Sequence, residues 1–187
     1  MRYDTPSFNG FSIAVAAGRN SLTTDPTKGD SKFYDVSLNY EETFGVTQVV
    51  AGLGMSQEDK SGGGKVERAI GSASVLFGNW VNVTMAAGEQ KDGGKYTYGK
   101  PGHWTQFFST GETAFGVHVY SSRDFLQKQT ITGVIGDRGN FVGIGEVQKF
   151  DKMTLEAYAS YRHYDLKADK AQFSDANVVL ASVRAKF

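Results

Sequence analysis

The sequence lacks cysteine entirely and contains only 3 prolines among its 187 residues. The absence of cysteine excludes a disulfide scaffold. No apolar run approaches the roughly 18 to 20 residues that a membrane-spanning helix requires, since the longest lies within 49–55. Net charge is also absent, because 20 lysine and arginine residues balance 20 aspartate and glutamate residues. This balance argues against nucleic acid as a partner.

The first residues also lack the basic start, the apolar stretch and the small-residue cleavage site of a secretory signal. Either such a signal has been removed or the chain is a piece of a longer protein. The sequence is rich in glycine, with 23 residues or about 12% against a usual ~7%, and in aromatic residues. The length predicts a single domain spanning residues 1–187.

Apolar and polar residues alternate along most of the chain, which is the period of a β-strand with two different faces. In 32–41 one face is apolar or aromatic and the other polar: Tyr34, Val36, Leu38 and Tyr40 against Asp35, Ser37 and Asn39. The same pattern predicts an all-β protein of about ten strands. These strands lie near 10–18, 32–41, 46–55, 68–77, 80–90, 103–109, 114–122, 141–149, 153–165 and 175–187.

The connections between the predicted strands alternate in length. The long, polar ones are 19–31, 56–67, 91–102, 123–140 and 166–174, and the short ones between them are 42–45, 78–79, 110–113 and 150–152. In an antiparallel meander, successive connections lie at opposite ends of the sheet, so the long loops gather at one end. This arrangement is typical of an antiparallel transmembrane β-barrel. A soluble barrel or sandwich shares the alternation and stays as the alternative.

Two groups of aromatic residues lie near the predicted strand ends, where membrane interfaces favour them. Near the short turns are Tyr40, Phe44, Phe77, Trp80, Phe115, Phe150 and Phe187, and near the long loops are Tyr34, Trp104, Tyr120, Phe141 and Tyr164. We therefore expect apolar rows such as Val81, Val83 and Met85 to face lipid. Their polar neighbours Asn82 and Thr84 then face a lumen.

Three segments resemble the general porins of Gram-negative outer membranes, of the alphaproteobacterial type. Residues 2–11, RYDTPSFNGF, resemble the porin segment that leads from the inward-folded constriction loop into a mid-barrel strand. Residues 154–166, TLEAYASYRHYDL, resemble the penultimate strand. Residues 177–187, which end in Phe187, are similar to the final strand that the barrel-assembly machinery reads.

The resemblance implies an outer-membrane, homotrimeric, water-filled channel through which small hydrophilic solutes and ions diffuse passively. Its implied partners are outer-membrane lipid, those solutes and the barrel-assembly machinery. Such porins have about 16 strands, and this chain resembles only their last ten. Either the chain is the C-terminal part of a larger barrel, or it is a shortened barrel that closes alone around a narrow lumen.

Charged residues and one histidine in mid-strand positions of the predicted inner face must line water or pair with one another. The predicted pore-lining residues are Asp35, Arg68, His118, Glu146, Glu156, Arg162, Arg184 and Lys186. If the last two strands pair without a slip, Glu156 lies opposite Lys186 and Arg184 lies opposite Tyr158. The slight positive excess predicts weak selection for anions.

No group of residues predicts catalysis or metal binding. The three histidines, His103, His118 and His163, fall on different predicted strands without ligand spacing, and the glycine-rich stretches 61–65 and 92–95 lack the full phosphate-binding motif. We therefore expect a channel rather than an enzyme, with no metal and no cofactor. A closed structural or surface-binding barrel and a soluble β-barrel carrier of an apolar ligand are the alternatives.

Overall fold

A computed structural model describes the chain over residues 1–20, 31–60, 64–78, 80–91, 93–124, 137–168 and 171–185. Most of these residues lie in β-strands, as the alternating pattern predicts. In chain order the strands are β1 (Arg2–Asp4), β2 (Phe11–Asn20), β3 (Ser31–Phe44), β4 (Thr47–Asp59), β5 (Lys65–Leu76), β6 (Val81–Gln90), β7 (Lys95–Phe108), β8 (Gly111–Arg123), β9 (Asp137–Phe150), β10 (Leu155–Ala168), β11 (Ala171–Gln172) and β12 (Ala176–Ala185). A 3₁₀ turn, Asp151–Met153, joins β9 to β10. In the described part of the chain, no helix has the length and apolar character needed to cross a bilayer.

The strands form one antiparallel meander. Each strand from β1 to β10 pairs with the next along the chain, and β11 and β12 both pair with β10. The predicted set of about ten long strands corresponds to β2–β10 and β12, whose lengths run from 10 to 14 residues. Among the described strands the sheet is open, because β1 and β2 lie at one edge, β12 lies at the other, and these edges do not pair.

Two predicted long connections are wrong. Strand β4 ends at Asp59 and β5 begins at Lys65, so five residues separate them where the long loop 56–67 was expected. Strand β7 begins at Lys95, so only four residues separate it from Gln90, where the long loop 91–102 was expected. The turn is closed by Gln90 N–H donating to Gly94 O at 2.9 Å and by Gly93 N–H donating to Gln90 O at 2.9 Å. The stretch Gly99–Gly102 contains Pro101 and has the composition of a turn, yet its residues pair with β6 throughout. Most of the predicted long connections 19–31 and 123–140 lies outside the described residues.

Directly opposite residues of neighbouring strands lie on the same face of a sheet, so the pairing register sorts the whole sheet into two faces. One face, here called the apolar face, carries pairs such as Val36–Met55, Val75–Val83, Val117–Ile144 and Tyr161–Val179. The other, here called the polar face, carries pairs such as Ser74–Thr84, Ser56–Arg68 and Glu156–Arg184. As the sequence alternation predicts, Val83 and Met85 lie on the apolar face of β6, and Asn82 and Thr84 lie on its polar face.

Exposure differs between the two faces. On the apolar face Val179 is 78% exposed and Met55 is 67% exposed, whereas His118 on the polar face is 9% exposed and Glu156 is 5% exposed. Of the described hydrophobic residues, only Ala14 and Val66 are buried. Side chains on the polar face are therefore partly covered by their neighbours, whereas most of the large side chains on the apolar face are exposed.

Candidate functional site

The polar face carries a continuous series of hydrogen bonds and ion pairs, and its side chains define the candidate site. At the short-turn end of β5 and β6, Ser74 and Thr84 share a hydrogen bond of 2.9 Å. Asn82 Nδ2 donates to Ser74 Oγ at 3.0 Å. Small hydroxyl and amide groups therefore satisfy one another across the strands and present a hydrophilic surface.

Arg68 organises the part of the polar face towards the long loops. Its Nε donates to Gln90 Oε1 at 3.1 Å, and its Nη2 forms an ion pair of 3.3 Å with Glu58 Oε2. Asp35 lies on the same cross-strand row, because Asp35 pairs with Ser56 and Ser56 pairs with Arg68. A groove of about 600 Å³ contains both Asp35 and Arg68 in its lining. The structure therefore places these two predicted residues together on the polar face.

Glu156 and Arg184 form the most buried ionic contact of this face. Arg184 Nε donates to Glu156 Oε2 at 3.0 Å, and Arg184 Nη2 and Tyr158 Oη donate to the same oxygen. The predicted pairing of the last strands is wrong, since Glu156 lies opposite Arg184 and Tyr158 lies opposite Ser182. The two strands pair in one register from Leu155–Ala185 to Tyr164–Ala176, two residues away from the register that was expected. Lys186 lies outside the described residues.

His118 and Arg162 lie on the polar face around a patch of glycines in β9. His118 pairs with Gly143, and Gly143 in turn pairs with Arg162. A Cβ at Gly143 would lie 3.0 Å from His118 Cδ2 and 2.9 Å from Arg162 Cγ, so both side chains occupy the space above this glycine. Glycine at 143 therefore allows two large polar side chains to lie down on the sheet.

Glu146 does not share a face with the other predicted pore-lining residues. It pairs with Phe115 on one side and with Ala159 on the other, which places it on the apolar face with Val117 and Ile144. The neighbouring positions on β9 are Gly145 and Val147, so the local sequence offers no polar residue that would fix the polar face. The charge of Glu146 was therefore a misleading guide to its side of the sheet.

Sequence reasoning missed three polar-face residues, and one of them, Lys100, was missed because β7 was predicted to begin too late. Lys100 and Trp104 lie on β7, where alternation from Tyr96 onward would have found them. Lys149 on β9 forms an ion pair of 2.6 Å with Glu112, and its Nζ lies 4.5 Å from the centre of the Trp104 ring. These residues add β7 and the short-turn end of β9 to the polar face.

A family model for Gram-negative porins matches residues 1–177, which is nearly the whole chain. The chain belongs to the Gram-negative porin family. A search of curated proteins returns no match. The expectation that the chain is a general porin of Gram-negative bacteria is thereby confirmed. Porins are β-barrel proteins of the bacterial outer membrane, which agrees with the all-β sheet.

Family membership makes this porin chain a membrane channel component in general terms and favours a channel over an enzyme. Among the residues that the structure describes, no group of three or more histidines and carboxylates is arranged to hold a metal ion. The predicted assembly residue Phe187, like Lys186, lies outside the described residues, so its role stays a prediction.

Proposed function

We propose that this porin forms an outer-membrane channel for passive diffusion of small hydrophilic solutes and ions. The observation that carries the proposal is the division of one sheet into two faces: an exposed apolar face, and a polar face lined by Asp35, Arg68, Arg162 and the Glu156–Arg184 pair. A sheet in a bilayer must turn apolar side chains to lipid and satisfy its edges by closure. The polar face then lines water.

The closure itself is part of the proposal. The described sheet has two open edges, and unpaired backbone groups at an edge are costly in hydrocarbon. The edges are satisfied when they pair with each other or with further strands. In the described sheet, side chains on the polar face are less exposed than those on the apolar face. This difference supports placing the polar face on the inside of the closed sheet.

Single-channel recording in planar bilayers tests the proposal. We expect stepwise conductance in KCl when the protein, purified in detergent, is added to the bilayer. A correctly folded protein that inserts without any conductance would instead support a closed structural or surface-binding barrel. A protein that stays monomeric and soluble after detergent removal would contradict the membrane proposal and favour a soluble carrier.

By family resemblance we also propose that the channel is a homotrimer and that Phe187 helps the barrel-assembly machinery to recognise the final strand. Deleting Phe187 is expected to lower the amount of protein inserted in cells while refolding into detergent stays near normal. Unchanged insertion in cells would contradict this role. Cross-linking of the inserted protein distinguishes a trimer from a monomer.

A further inference from the structure

Four aromatic rings follow one another across the polar face near the long-loop end. They belong to strands β7 to β10: Tyr96, Tyr120, Phe141 and Tyr164. The ring centres are 5.8 Å apart for Tyr96 and Tyr120, 5.1 Å for Tyr120 and Phe141, and 5.4 Å for Phe141 and Tyr164. We call these four residues the aromatic row. The expectation that Tyr120, Phe141 and Tyr164 form a lipid-facing belt is wrong, because the register places them on the polar face.

The geometry of the aromatic row determines which part of each ring a solute meets. The planes of Tyr120 and Phe141 are inclined by only 11°, and those of Tyr96 and Tyr120 by 22°. Rings stacked in this way cover one another's faces and turn their edges away from the sheet. Ring edges carry partial positive charge, so they attract the face of another aromatic ring. A pyranose sugar instead presents C–H groups, which require a ring face.

A row of basic side chains lies directly beside the aromatic row. Arg162 is two residues from Tyr164 on the same face, and its guanidinium lies 5.6 Å from the centre of the Phe141 ring. Arg162 Nη1 also donates to Tyr164 Oη at 3.5 Å. His118 on β8 and Lys100 on β7 lie on the polar face at the same height along the strands as Arg162 on β10. An anion at this level would therefore be attracted by Arg162 and Lys100.

Two nitrogens in this region are buried without a hydrogen-bond partner among the described residues: Nε of Arg162 and Nε2 of His118. Buried polar atoms of this kind are rare because each costs free energy when unsatisfied. His118 itself is only 9% exposed. Each of these two side chains therefore has one nitrogen that the described protein leaves unsatisfied.

A cleft of about 420 Å³ adjoins the aromatic row, and its lining includes Tyr120, Phe141, Tyr164, Leu166 and Phe173. This volume lies within the range of small-molecule sites in proteins. The lining also includes Asp165, whereas Arg162 and His118 lie outside it, on the other side of the aromatic row. The cleft therefore offers space for a planar ring, and the positive charge lies across the row from it.

We infer that this surface is a transient binding site for small aromatic carboxylates that pass through the channel. The solute ring lies across the edges of Tyr120 and Phe141, and the carboxylate pairs with the guanidinium of Arg162. The inference rests on the proposed channel function, because the polar face must be open to solutes from the aqueous side. It adds a solute class to that function.

A comparison of benzoate with cyclohexanecarboxylate isolates the aromatic contribution, because the two have the same charge and nearly the same size. Their binding to the detergent-purified protein is measured by titration calorimetry, and their effect on conductance is measured in planar bilayers. We expect benzoate to bind about two- to tenfold more tightly, which is the difference in affinity that the free energy of one aromatic ring pair predicts. Equal binding of the two compounds would overturn the inference.

Variants then separate the two halves of the site. Phe141→Leu is expected to bring the two affinities together, whereas Arg162→Gln weakens both compounds by about tenfold and keeps their ratio. Phe115→Leu is the matched control, because Phe115 lies on the apolar face of the neighbouring strand, and it should leave the ratio unchanged. If Phe141→Leu does not fold, the comparison of the two compounds on the parent protein still decides.

The two measurements also distinguish failure of the inference from failure of the proposed function. Conductance in KCl with no preference for benzoate would leave a channel without this site. Selective benzoate binding by a protein that never conducts would contradict the diffusion channel instead and would indicate a surface-binding barrel.

Discussion

Gly143 illustrates how a single residue shapes the polar face. A Cβ at this position would lie 2.8 Å from Tyr161 O, as well as within 3.0 Å of the His118 and Arg162 side chains. Backbone oxygen cannot move aside as a flexible side chain can. The absence of a side chain at 143 therefore sets where the imidazole and the guanidinium lie.

Replacing Gly143 with alanine should destabilise the protein. Overpacking of this kind costs about 1 to 3 kcal/mol in the free energy of unfolding, which urea titration in detergent or vesicles measures. Gly18→Ala is the matched control, because a Cβ at Gly18 meets no atom within 4 Å. Equal stability of the two variants would show that β9 and β10 do not pack as described.

Glu156 and Arg184 contribute unequally to their own contact. Glu156 accepts hydrogen bonds from both Arg184 and Tyr158 and is nearly buried, whereas the Arg184 side chain is 58% exposed. Removal of the carboxylate leaves two donors without their acceptor, but removal of the guanidinium leaves Tyr158 in place.

Glu156→Ala is therefore expected to lower the urea midpoint of unfolding more than Arg184→Ala does. A double variant should lose less than the sum of the two single losses, because the residues share one interaction. Strict additivity in this double-mutant cycle would mean that the ion pair contributes nothing to the wall of the sheet.

At the scale of a strand, alternation separates neighbouring residues onto surfaces of opposite character. In β6, Met85 lies on the apolar face and is 64% exposed, whereas Ala86 lies on the polar face opposite Tyr98. If the apolar face contacts lipid, the side chain of Met85 lies in hydrocarbon and that of Ala86 faces water, although the two residues are adjacent in the chain.

Arginine at each of these positions tests the orientation of β6. Met85→Arg should cost about 2 to 4 kcal/mol of folding free energy in bilayers, because it places a charge near the middle of the hydrocarbon. Ala86→Arg should cost far less, since its side chain reaches water. Unfolding in lipid vesicles measures both, and equal costs would show that the faces have been assigned to the wrong sides.

At the scale of the whole molecule, the charges of the polar face are unevenly compensated. Arg68 pairs with Glu58 and Arg184 pairs with Glu156, whereas Arg162 makes no ion pair with any described residue. Glu146, which was expected to add negative charge to this surface, lies on the other face. The polar face therefore keeps a local positive excess around Arg162 and Lys100.

We expect the channel to be weakly anion-selective, because side-chain charge lining a pore sets its ion preference. Arg162→Gln should shift the reversal potential in a KCl gradient towards cations. A double variant, Glu156→Gln with Arg184→Gln, removes one charge of each sign and should leave the reversal potential unchanged. A strongly cation-selective parent channel would contradict the assignment of the polar face to the lumen.

The sequence was sufficient for the ten long strands and for the two faces of most of them, because a period of two is a local property of the chain. Tyr34, Val36 and Leu38 identify β3 without knowledge of its neighbours. The three porin-like segments were likewise sufficient for the family. The sequence failed at β7, where glycines and Pro101 resemble a turn although the segment is held in the sheet by its pairing with β6.

Only the tertiary structure decided the pairing register. The length and geometry of each connection set which residues of two neighbouring strands lie opposite each other. The pairing of β10 with β12 places Arg184, rather than Lys186, opposite Glu156. The pairing also places Glu146 on the apolar face and brings Tyr120, Phe141 and Tyr164 opposite one another, with the Tyr96 ring next to that of Tyr120. Residues far apart in the chain become neighbours only when the strands pair, so the sequence determined the alternation along each strand but not the contacts between strands.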